Sequence, residues 1–155
     1  MSLHEVRKIK TERLKAISRI KKSKKSFYHE LDNTLFSATS STFIGKVYAD
    51  FGLINIADAA SKADDGGYPQ LQNEYLIASN PNIIFLADAQ YGEDANKVAL
   101  RPGWSEISAV KTMKIISLPA DISSRWGPRI IEFYRIVADP TGRLLALVAY
   151  IGEKP

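Results

Sequence analysis

Polar donors and flat aromatic surface stand together at several places in the chain, at spacings that suit the capture of a ligand. In Ser123-Ser124-Arg125-Trp126-Gly127-Pro128-Arg129, a guanidinium sits beside an indole just ahead of a predicted helix start. Arg125 presents a planar fork that can pair with carboxylate or phenolate oxygens, worth about 1.5–3 kcal/mol when desolvated. Trp126 offers a flat apolar face to a macrocycle or a catechol, and Ser124 adds a hydroxyl next to both. The plainer alternative packs Trp126 inward and leaves Arg125 solvated; the pairing of types favours the site, and Arg129 is assigned to the helix surface. In Ser37-Ala38-Thr39-Ser40-Ser41-Thr42, the hydroxyls of Thr39, Ser40 and Ser41 precede another helix start, where free N–H groups can receive an anionic or carbonyl oxygen. Simple helix capping accounts for such residues equally well. Tyr91, in Asp88-Ala89-Gln90-Tyr91, can line a cleft or pack on its own domain, and Tyr68, after the flexible Gly66-Gly67 pair, is a further rim candidate.

Other chemistries lack their residues. The chain has no cysteine, and its two histidines, His4 and His29, are too few for an all-histidine metal site. There is no G-x-S-x-G elbow and no phosphate-binding loop, and His29-Glu30 lacks a second histidine within helical reach. No catalytic residue, metal site or cofactor is therefore assigned, although a fold of this class also hosts enzymes and an unrecognised enzyme stays a competing reading.

The elements that position these residues follow from periodicity. A chain of 155 residues, 45% apolar and 25% charged, suits one globular domain with a real core. Apolar residues at Val6, Ile9, Leu14, Ile17 and Ile20 predict an amphipathic helix in residues 1–25, which carry a net charge of +8 against −4 for the remainder. Binding of nucleic acid by this basic helix is the second competing reading, but its Lys and Arg lack interleaved aromatics, and no nucleic-acid partner is assigned. Ser26–Leu31 reads as a short strand, 42–51 as a helix stopped by Gly52, 71–79 as a helix ended by Asn80-Pro81, and Asn82–Ala87 as a strand buried on both faces. A helical stretch ahead of Arg101-Pro102-Gly103, a short helix within 104–110, a strand at Lys114–Leu118 and a helix from Gly127 to Val137 complete the order; the conformation of 143–155 is left open. Strands alternating with helices predict an α/β fold, a three-layer α/β/α sandwich with a mostly parallel sheet, preceded by the long amphipathic helix. No apolar run reaches the roughly 20 residues that span a bilayer.

In that order, the segments resemble the second lobe of class III periplasmic binding proteins, which serve ABC importers for ferric siderophores, haem or cobalamin. The stretch FYHELDNTLFSATSSTFI (27–44) is similar to the family's opening strand and loop, and Ile54-Asn55-Ile56-Ala57 to its N-I-A. Pro69-Gln70 through Glu74 to Asn80-Pro81-Asn82-Ile83-Ile84-Phe85-Leu86, then Arg101-Pro102-Gly103-Trp104 and Ala109-Val110-Lys111, match further family motifs. The resemblance implies a linker helix at 1–25 (its helical part 3–22), a carboxy-terminal lobe at 26–155, a metal-chelate ligand, an amino-terminal lobe completing the cleft, and an importer permease as partner. It places the Arg125 loop in the cleft and the Trp104 turn away from it. It further implies an extracytoplasmic location, with any leader upstream of residue 1, and an acidic docking residue on each lobe, for which no glutamate stands between Thr39 and Thr42.

Overall fold

The computed structural model describes residues 2–5, 7–8, 24–119 and 130–141. At its centre lies a four-stranded, wholly parallel sheet of β1 (Ser26–Glu30), β2 (Ile54–Asn55), β3 (Ile83–Leu86) and β4 (Ile115–Ser117), ordered β2-β1-β3-β4. Between and after the strands run α1 (Phe43–Asp50), α2 (Asn73–Ser79), α3 (Ala95–Ala99), α4 (Ser108–Lys111) and α5 (Ile130–Thr141). Residues 3–5 and 7–8 are helical; the rest of the expected linker helix, the start of the Gly127 helix and the tail at 143–155 lie outside the described residues.

The two-residue repeat of a strand divides the core into two halves. Phe27 and Phe85 face Val47 and Tyr48 of α1, Phe51, and Phe133 and Val137 of α5. On the opposite face, Tyr28, Ile84 and Leu86 meet Leu76 of α2, Val98 of α3, Trp104, and Ala109 and Val110 of α4. All four residues of β3 are buried, as a central parallel strand covered on both faces requires. The three-layer α/β/α sandwich is thus present.

Local chemistry sets the element boundaries. The Thr42 hydroxyl accepts from Gly45 N–H at 3.0 Å and starts α1, and Gly52, at φ 71°, turns the chain out after it. Gly45 has to be glycine: a Cβ there would stand 1.8 Å from the carbonyl oxygen of Thr39. α2 begins two residues later than its periodicity predicts. The reason is that Phe36 and Gln70 form an antiparallel bridge and Leu71 N–H donates to Leu35 O at 2.9 Å, holding the first residues extended. The stretch predicted as one short helix from Trp104 splits into a 3-10 turn, Trp104–Glu106, and α4, because Ile107 adopts an extended backbone between them. β2 was not foreseen as a strand; it is only two residues long and is recruited by the backbone of Lys25 and Phe27.

Candidate functional site

In a parallel sheet every strand delivers its following loop to the same edge, which is where ligands bind in open α/β sheets. Here that edge collects the loops after β1 (31–42), β2 (56–72) and β3 (87–94). The first two are laced together: Ser37 N–H donates to Pro69 O and Thr39 N–H to Gly67 O, both at 2.9 Å. A Cβ on Gly67, whose φ is +91°, would meet Ser41 Oγ at 3.0 Å, Thr42 Cγ2 at 3.1 Å and Thr39 Oγ1 at 3.2 Å. Glycine therefore lets the backbone just before Tyr68, which is 44% exposed, approach the hydroxyls of Thr39 and Ser41, which bond to each other at 2.8 Å. Two of the residues expected at the site, Thr39 and Ser41, are thus bonded to each other, and Tyr68 follows the glycine packed against them. Asp65 shapes the same loop by accepting from Ser61 Oγ, Lys62 N–H and Gly67 N–H, and the Lys62 N–H bond holds its carboxyl below the usual range.

Ser40 is differently occupied. Its N–H and its hydroxyl donate to the two carboxylate oxygens of Asp58, at 2.8 and 2.6 Å. The anion received by the donors of Ser40 is thus the chain's own, and nothing local in the sequence announces a pairing of residues 18 apart. Thr42 is spent on the helix cap and on Thr39 O.

The loop after β3 folds as a 3-10 turn, Ala89–Tyr91, closed by Gly92 in the left-handed region. Tyr91 stands 80% exposed on it, and Asp94 caps α3 by accepting from Lys97 N–H at 2.8 Å. Arg125, Trp126 and Ser124 lie outside the described residues, so their expected place after β4 rests on the sequence.

Beneath the β3 loop is a charged cluster that sequence reasoning missed. Glu30 ends β1 fully buried, and Arg101 Nη1 and Nη2 each donate to one of its oxygens at 2.7 Å. Arg101 also donates to Glu93 at 2.9 Å and lies 4.6 Å over the Trp104 ring, a cation–π stack. Trp104 Nε1 in turn donates to Asn73 Oδ1 at 2.7 Å, so the buried indole anchors the turn as expected of it. Burial opposes the charge on Arg101, but Glu30 and then Glu93 outweigh it and hold the guanidinium protonated. Glu30, Asp88 and Glu93 bring one oxygen each within 4.8 Å of one another, a spacing that a cation could bridge. Arg101 already supplies that cation to two of the three. On the other face of β1, His29 is buried with Nδ1 2.7 Å from the Tyr48 hydroxyl, and burial pushes its imidazole down to about 3.

The loops at this edge thus carry the exposed side chains of Tyr68 and Tyr91, while the Glu30 and Asp88 carboxyls are buried. Among the described residues, no helix is long and apolar enough to cross a membrane. The periplasmic binding protein family profile matches residues 3–122. The uncharacterized ABC transporter substrate-binding lipoprotein YvrC of Bacillus subtilis (strain 168) is 34% identical over 123 residues, 78% of this chain and 36% of its own. Among solved structures, an ABC transporter substrate-binding protein from Listeria monocytogenes EGD-e aligns with a TM-score of 0.71 at 18% identity, over 89% of this chain and 56% of that one. The periplasmic vitamin B12 binding protein BtuF of Vibrio cholerae aligns with a TM-score of 0.60 at 19% identity, over 97% and 53%. The chain spans about a third of the curated relative and about half of these structures, all of which share its fold. On a family match that takes in most of its residues, the chain belongs to the periplasmic binding protein family.

Proposed function

We propose that the chain is the carboxy-terminal lobe, residues 26–155, of an ABC-importer substrate-binding protein, preceded by a linker helix in residues 1–25, and that it captures an iron chelate, haem or cobalamin rather than transforming it. The observation that carries this reading is the joining of the first two loops through Gly67, which packs the loop bearing Tyr68 against the loop bearing Thr39 and Ser41 at the strand ends where a ligand would lie. Tyr91 from the β3 loop, and Ser124, Arg125 and Trp126 from the loop after β4 complete the proposed set, without Ser40, whose donors Asp58 already holds. The family supports the role, and the likeness to a vitamin B12 binding protein supports the ligand class. The partners are an amino-terminal lobe that closes the cleft and an importer permease, in an extracytoplasmic setting.

A lobe with one wall of its cleft binds weakly, because the contacts of the second wall are missing. Tryptophan fluorescence titration against ferric siderophores, haem and cobalamin, on this chain and on the two-lobe protein, tests the reading. Saturable quenching by one ligand, weakened by Arg125→Ala and lost in Trp126→Phe, is expected. Absence of any response from the two-lobe protein across the panel would refute it.

A further inference from the structure

Asp88 leaves the end of β3 and opens the loop that carries Tyr91 and Glu93. Its side chain is buried, and neither carboxyl oxygen accepts a hydrogen bond. The groups facing it are predominantly acidic: Glu30 from β1 and Glu93 from its own loop, each with an oxygen inside the 4.8 Å cluster, together with the buried Tyr28 hydroxyl of β1. Among the described residues, Arg101 is the cation paired with this group, and its donors are committed to both oxygens of Glu30 and to Glu93. Two carboxyl groups out of water cannot both stay charged at such a separation unless a proton or a cation stands between them.

We infer that Asp88 is a carboxylic acid sharing its proton with Glu30, and that this bond is the latch that positions the loop bearing Tyr91. Burial, and then Glu30, push the Asp88 carboxyl up to about 8, which agrees with a proton retained at neutral pH. The oxygens of Glu30 therefore serve two donors, the Arg101 fork and the Asp88 hydroxyl. The loop they hold is short and internally bonded: Tyr91 N–H donates to Asp88 O at 2.9 Å and Gly92 N–H to Ala89 O at 3.1 Å. Releasing Asp88 releases the base of that turn, and with it the position of Tyr91. The role of Tyr91 rests on the ligand-binding reading above; the shared proton does not.

The test is a carbon-13 NMR titration of the Asp88 carboxyl in the full chain, with thermal melts of the wild type and Asp88→Asn from about pH 5 to about pH 9. The carboxyl is expected to titrate near 8. A carboxyl raised in the folded state contributes stability fully present below its unfolded value near 4, lost as pH rises toward the folded one and constant beyond it. Wild-type Tm should thus fall across that window relative to Asp88→Asn, whose amide N–H donates to Glu30 at any pH. Amide exchange at Tyr91 and Gly92 should accelerate above pH 8 beyond its intrinsic base dependence in the wild type and not in the variant. A carboxyl titrating near 4, or equal pH slopes in the two proteins, would overturn the inference, and the first of these needs no variant. So would a rise in wild-type Tm on adding calcium at about pH 6, where the proton should already hold the two carboxyls together. Failure of ligand titration with the proton behaviour intact would count against the proposed function alone.

Discussion

Arg101 and Glu30 meet through two parallel 2.7 Å bonds across 71 residues of sequence, tying the end of the first strand to the turn before Trp104. Removing the guanidinium leaves a fully buried carboxylate without its partner, a loss on the order of 3–5 kcal/mol. Arg101→Met is expected to show that loss in guanidinium denaturation. Arg101→Lys should recover only part of it, since an ammonium cannot span both oxygens. Equal stability of the Lys variant and the wild type would remove the bidentate geometry from the account.

Acid should unfold this chain through His29. Its imidazole, held near 3 by burial, stays neutral in the fold while the unfolded chain takes up a proton below about 6.5. A depressed histidine therefore costs stability as pH falls from about 6.5 to about 3, at up to about 1.4 kcal/mol per pH unit. His29→Phe should flatten that part of the profile while losing about 1–3 kcal/mol at neutral pH, because the Tyr48 hydroxyl is left unpaired. Denaturant midpoints at neutral and acid pH, compared between the two proteins, provide the check.

Gly45→Ala sets two effects against each other. Alanine favours a helix interior by roughly 1 kcal/mol over glycine, but here its methyl would lie 1.8 Å from Thr39 O. Backbone does not yield cheaply, so a net loss of about 1–3 kcal/mol is expected, as for other overpacked sites. Thermal unfolding measures the sign, and a stabilised variant would mean that the Thr39 loop is free to retreat.

Tyr68 and Thr39 separate binding from stability. Tyr68→Ala, at a half-exposed rim position, should change stability by less than about 0.5 kcal/mol and weaken ligand binding in the two-lobe protein. Thr39 is buried, and its hydroxyl bonds to Ser41, so Thr39→Ala should cost about 1 kcal/mol of stability as well. Binding isotherms beside melting curves for both variants distinguish the two. Unchanged affinity in Tyr68→Ala would take Tyr68 out of the site.

Strand β3 was legible because burial on both faces demands an apolar run, and β1 by its short length and its own aromatic residues. β2 was not, since two residues carry no period and the pairing is made by backbone atoms. The Ser and Thr residues of the first loop could be picked out by type. That the loop bearing Tyr68 packs against them depends on the close approach at Gly67, and that Ser40 is taken by Asp58 depends on folding. Neither leaves a trace in local spacing. Glu30 and Arg101 were both visible as parts of family motifs, yet a bond between residues so far apart follows only from the strand order. The Arg125 and Trp126 loop lies outside the described residues and stands on the sequence argument.

An all-parallel sheet has one more consequence, for the route by which the chain reaches it. Phe27 pairs with Ile83 in β3 and Ser26 with Ile54 in β2, so among the described residues no strand finds its partner through a tight hairpin. Each pairing must close a long loop before any strand contact repays the lost chain entropy. Refolding should accordingly be slower than that of helical bundles of similar length, with α1 and its Thr42 cap available early as local structure and the sheet forming last.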